Sequence, residues 1–125
     1  MKYIIVDPNQ KSAGDLRRLL EGFEVLDFKG SFTTLESAER FASKMVPDMA
    51  FIRMGDPSLN SYQLAGVIRL LNPFSKLIFL GREKAYAVDA FEYEAYGFLL
   101  EPYTKEQMTQ LLLKKGYEKI PDTSS

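Results

Sequence analysis

Neither cysteine nor histidine occurs anywhere in the chain. The first absence removes disulfide frameworks and thiolate sites, and the second removes the commonest general base and metal ligand. Together they exclude Ser-His-Asp and Cys-His nucleophilic catalysis, zinc fingers and any phosphorelay through histidine. An excess of one charge is lacking too: 16 basic against 17 acidic residues leave a formal net charge of -1. No bulk attraction to nucleic acid or to an anionic membrane surface is therefore expected, and no local basic patch stands out. Long hydrophobic runs are missing. The amino-terminal "MKYIIVDPNQ" reaches Asp7 after one short apolar run, too short for a signal peptide or a membrane span. The expectation is a soluble, cytoplasmic protein. Gly-rich phosphate loops, paired catalytic carboxylates, nucleophile and base pairs, internal repeats and low-complexity tracts are absent as well.

What is present is a chain of 125 residues, 46% hydrophobic and 26% charged. That length buries about two thirds of its unfolded surface in a single core. Short apolar runs at 3–6, 23–28, 49–52, 76–80 and 97–100 have strand length. Those that are almost wholly apolar suit strands covered on both faces. Between them lie helical patterns. The first carries Ala13, Leu16, Leu19 and Leu20. A second carries Leu35, Ala38, Phe41, Ala42 and Met45 after a capping box of Thr33 and Glu36, and a third carries Leu64, Ala65, Ile68 and Leu71. The last starts at Thr104, with Gln107 in capping-box spacing, and stops at "KKG". Repeated strand and helix units of this kind predict an α/β domain, a five-stranded parallel sheet with helices on both faces, over 1–118. Residues 119–125 read as a tail or the start of a linker.

In such a sheet, function gathers at the carboxyl ends of the strands. Those ends are Asp7-Pro8, Arg53-Met54, Gly81-Arg82 and Glu101-Pro102. Around them, "IIVDPNQ", "PDMAFIRMGDP" and "LIFLGREKAYAVDAFEYEAYGFLLEPYTKEQM" resemble the receiver domain of bacterial two-component response regulators, and the last stretch is similar to receivers of LytR-type regulators. The resemblance covers nearly the whole chain. It implies a flavodoxin-like receiver fold with strand order 2-1-3-4-5. It also implies a chemistry: an acidic pair after the first strand that holds magnesium, an aspartate after the third that accepts a phosphoryl group, a hydroxyl after the fourth and a lysine after the fifth. Carried over by position, the acidic pair is Asp7 and Pro8, the acceptor is Arg53, the hydroxyl position is Gly81 and the lysine position is Glu101. The aromatic switch position is Phe98, and the proline that follows a cis bond is Pro102.

Of those chemical groups only Asp7 remains. Magnesium needs several hard oxygen ligands, and arginine is no aspartyl nucleophile. The expectation is a pseudo-receiver with no catalytic residue, no metal and no cofactor. An arginine at a strand end is commonly just an exposed loop residue. Here position 101 has changed sign as well, so a charge-reversed Arg53–Glu101 pair is expected. Asp7 reads either as a helix-entry residue or as a further partner of Arg53, and Asp56 reads as a turn residue before Pro57.

A helix over 83–96 would carry two apolar stripes, Val88, Phe91 and Ala95 on one side and Tyr86, Ala90 and Tyr93 on the other. One would meet the sheet. The Tyr86, Ala90 and Tyr93 stripe, with Phe91, Tyr96 and Tyr103 nearby, is assigned to a partner. The resemblance places that contact on the face of the fourth helix, fifth strand and fifth helix, in a homodimer or against another protein, and allows an output domain beyond Ser125. The function expected is a phosphorylation-independent regulatory or dimerisation module, not an enzyme, of a transcriptional regulator. The alternative is a ligand-sensing or catalytic domain that reuses the strand-end cleft, for which a pocket lined by Met54, Gly81 and Phe98 would be the sign.

Overall fold

Five parallel strands pair in the order β2-β1-β3-β4-β5 in the computed structural model, which describes residues 1–117. The strands are β1 (Lys2–Val6), β2 (Asp27–Phe32), β3 (Met49–Arg53), β4 (Lys76–Gly81) and β5 (Gly97–Leu100). They alternate with α1 (Gln10–Leu20), α2 (Leu35–Lys44), α3 (Ser61–Leu71), α4 (Ala85–Glu92) and α5 (Lys105–Tyr117). The boundary expected at 118 and the tail expected over 119–125 lie outside the described residues. Among the described residues, no helix is long and apolar enough to cross a membrane.

Successive strand residues face opposite sides of a sheet, and helices cover both sides here. Ile5, Phe51, Ile78 and Leu80 join Leu16 and Leu20 of α1 and Met108 of α5. On the other side Ile4, Val6, Ile52 and Phe79 join Ala38 and Ala42 of α2, Leu64 and Ile68 of α3 and Ala90 of α4. This double cover explains why β3 is buried at every position, Arg53 included.

Side chains fix the helix starts. Asn9 accepts from the Lys11 and Ser12 amides, and Asn60 from that of Gln63. At α5 the expected reciprocal box forms, with the Thr104 amide on Gln107 and the Gln107 amide on Thr104. The box expected at Thr33 and Glu36 does not form; Thr34 caps α2 instead, accepting from the Ser37 amide. Leu71 is 43% exposed and stands off the α3 core face. Helix α5 passes the stop expected at Gly116 and reaches Tyr117, the last described residue.

The largest departure is β2. The expected strand "FEVLDF" ends where the real one begins, and Val25 is exposed. A bulge explains why the pattern was unreadable: Tyr3 pairs with Phe28 but Ile4 with Gly30, leaving Lys29 as an extra residue. Phe28 and Phe32 therefore pack on opposite faces, where strict alternation would put them on one.

Candidate functional site

Three charged side chains meet at the carboxyl end of the sheet because β1, β3 and β5 all end there. Arg53 is the last residue of β3, Asp7 follows β1 directly, and Glu101 follows β5 directly. Arg53 lies in register with Leu80 of β4, so it sits between the other two. Its guanidinium divides its donors. Nη1 and Nη2 donate to the two carboxylate oxygens of Glu101 at 2.6 and 2.7 Å, a bidentate fork. Nε and Nη2 donate to Oδ2 of Asp7 at 3.2 and 3.0 Å.

Asp7 is saturated. Its Oδ1 accepts from the Asn9 amide at 2.9 Å, and its Oδ2 also accepts from the Ser12 hydroxyl. Both readings left open for Asp7 therefore hold: it leads the chain into α1 and it pairs with Arg53. Arg82 adds a long contact, Nε to Glu101 Oε1 at 3.4 Å, from an exposed position worth little. The set is formally neutral, two carboxylates against two guanidinium groups. Arg53 is 7% exposed and Asp7 1%, so their attraction is little screened by water.

The titration behaviour follows. Burial works against the Arg53 charge, but its hydrogen bonds to Glu101 and Asp7, with the charges of those carboxylates, outweigh it and hold the guanidinium above its ordinary value. The hydrogen bond from Arg53 holds Glu101 below the usual carboxylate range, against a smaller opposing effect of burial. Burial pushes the Tyr103 phenol, on the rim, up to about 12. Asp56 is the expected turn residue, accepting from the amide and hydroxyl of Ser58, which lower its value.

These residues do not fit a magnesium ion. The Asp7 oxygens already face an amide, a hydroxyl and a guanidinium, Pro8 offers no ligand, and Arg53 separates Asp7 from Glu101. Among the described residues, no group of three or more acidic side chains comes together that could hold a metal ion.

Around this network lie the other residues singled out in the sequence. Gly81 ends β4, and the Glu101–Pro102 bond is cis. Phe98 is half-buried and packs on the core. The pocket expected between Met54, Gly81 and Phe98 is filled: ring carbons of Tyr86 and Phe98 lie against Gly81. The open cleft nearby, about 340 Å³, is lined by Asp7, Asn9, Arg53, Met54, Asp56 and Tyr86 among others, and neither Gly81 nor Phe98 borders it.

The partner stripe assigned to α4 is reversed. Ala90 is 1% exposed, and Tyr86 and Tyr93 pack into the core beside it. Tyr93 stacks on Tyr62 with ring centres 4.6 Å apart, while Arg69 donates to the Tyr93 carbonyl at 2.7 Å. Val88 and Phe91 instead point outward, 60% and 84% exposed. Tyr96 and Tyr103 are half-buried on the α1 and α5 side of the sheet. The sequence misled because Phe outranks Tyr in hydrophobicity, whereas the small Ala90 is what lets the helix approach the sheet. Ser12 went unnoticed, though it carried a signal, standing in the first turn of α1 three residues after its cap; Tyr86 was assigned to an interface, and nothing in the sequence separates a site residue from an interface tyrosine.

The fold and the sequence relatives together support a response-regulator receiver domain of the two-component type. No family model matches the chain. The response regulatory domain of protein mrkE from Klebsiella pneumoniae is similar at 28% identity and a TM-score of 0.82, covering 95% of this chain and 99% of that one. The sensory transduction protein LytT of Bacillus anthracis is 25% identical over 119 residues, 95% of this chain and 48% of its own length. The transcriptional regulatory protein YpdB of Escherichia coli K12 is 29% identical over 114 residues, 91% of this chain and 47% of its own. The chain thus spans about half the length of the curated relatives it matches.

Proposed function

We propose that this chain is a pseudo-receiver of LytR-type flavour, a receiver-fold module that regulates without being phosphorylated. The observation that carries the reading is the Arg53 guanidinium forked between Asp7 and Glu101 at the place where the family resemblance puts an acceptor aspartate. An arginine offers no oxygen nucleophile, and Gly81 has no hydroxyl to follow a phosphoryl group. Its work is then association: regulatory or dimerisation contact within a transcriptional regulator, with an output domain in the remainder of a longer protein. Two relatives support that setting by name, since LytT is a sensory transduction protein and YpdB a transcriptional regulator. The outward Val88 and Phe91 of α4 take the role first given to Tyr86, Ala90 and Tyr93. The module is not an enzyme, binds no nucleic acid itself and works in the cytoplasm.

Incubation with acetyl phosphate or phosphoramidate and magnesium, followed by intact mass, tests the reading. No added phosphoryl group is expected. Stoichiometric, magnesium-dependent labelling of any aspartate contradicts it.

A further inference from the structure

Two glycines at the ends of neighbouring strands share one occupant. A Cβ at Gly81 would lie 2.9 Å from Cδ2 of Tyr86 and 3.2 Å from two ring carbons of Phe98. A Cβ at Gly55 would lie 2.7 Å from the Tyr86 hydroxyl oxygen and 2.9 Å from its ring. These separations are below ordinary carbon contact. One ring from the first turn of α4 thus fills the space that side chains at both positions would need. Gly55 also holds φ at 91°, a conformation suited to glycine. No positive φ occurs at Gly81, so glycine there answers to packing alone.

The rest of α4 is weakly held at that end. Its N-cap, Lys84, makes no side-chain capping bond, and Val88 and Phe91 face outward. The opposite end is pinned by Ala90, by Tyr93 on Tyr62 and by Arg69 on the Tyr93 carbonyl. The first turn has Tyr86 as its inward anchor.

We propose that Tyr86 is a built-in plug: seated on Gly55 and Gly81, it fills the space beside the ends of β3 and β4, forms the α4 wall of the open cleft and fixes the first turn of α4 beside the Arg53 network. The plug is an intramolecular contact that competes with any side chain or ligand entering that space. It deepens the reading of a locked receiver and rests on that reading only for the claim that α4 carries the partner face; the packing stands on its own geometry.

Thermal unfolding of four chains tests it: the natural one, Tyr86→Ala, Gly81→Ala and the double variant. Gly81→Ala is expected to lower Tm in the natural chain, where the new methyl meets the ring. In the Tyr86→Ala chain it is expected to lower Tm by less, since only the two Phe98 ring carbons at 3.2 Å remain against the new methyl. Added p-cresol, a free copy of the missing ring, is expected to raise the Tm of Tyr86→Ala in a dose-dependent way and to leave the natural chain unmoved. Should Tyr86→Ala not fold, Tyr86→Leu replaces it in the same cycle. Equal losses from Gly81→Ala in both backgrounds, with no p-cresol effect, overturn the plug and leave the absence of phosphoryl labelling untouched. Labelling by a phosphodonor overturns the locked reading and leaves this packing in place.

Discussion

Arg53 shows how a charge becomes part of a core. Its guanidinium costs solvation, and five donor contacts to Asp7, Glu101 and Ser12 recover it. Removing it strands Asp7, which is 1% exposed. Arg53→Ala is therefore expected to destabilise by about 3–5 kcal/mol, the range for breaking one partner of a buried pair. Glu101→Gln is expected to cost less, because the Glu101 side chain is 17% exposed and Asp7 keeps its partner. In a double-mutant cycle by denaturant unfolding, Arg53→Ala and Glu101→Ala are expected to couple by at least about 0.5 kcal/mol; additive penalties would show that the Arg53–Glu101 contact contributes nothing to stability. The pH dependence has a definite sign. Glu101 is depressed in the folded state, so its contribution is present above the ordinary glutamate value of about 4.3 and is lost as pH falls through the lower folded value. Stability below that pH is expected to fall more steeply in the natural chain than in Glu101→Gln, as acid titrations of unfolding would read. This trio was legible in the sequence because each member directly ends or follows a strand. Ser12 was not, since a hydroxyl in a first helical turn ordinarily serves only the helix.

At the scale of elements, α4 carries the main correction. A helix with two apolar sides does not announce which one it buries, and here a small alanine beside two tyrosines packed inward while a phenylalanine stayed out. The outcome is measurable. Val88→Asp and Phe91→Asp are expected to keep stability within about 0.5 kcal/mol, as surface changes do, and to abolish concentration-dependent association seen by light scattering. Tyr93→Glu would bury a carboxylate against Tyr62 and Phe79, and is expected to destabilise by more than about 2 kcal/mol. A fully stable Tyr93→Glu chain would contradict the packing described. Strand β2 failed for a different reason. It is an edge strand with a bulge at Lys29, so the period of two on which strand reading depends is broken in its middle. The central strands have no such interruption and were readable from their apolar runs alone.

For the whole molecule, sheet order was accessible only through the family resemblance, because nothing local in five apolar runs says which lies beside which. That order brings residues from positions 7, 53 and 101 to one point, and the ion network runs from β1 through the central β3 to the edge strand β5. The proposed lock is a domain fastened there in one arrangement, with α4 seated by Tyr86. The most direct test of the central claim is an amide NMR titration of the intact chain with magnesium and beryllofluoride. The account predicts unchanged resonances at Asp7, Arg53, Gly81 and Glu101 and throughout α4. Saturable, magnesium-dependent shifts at those positions that spread into Ala85–Glu92 would contradict it.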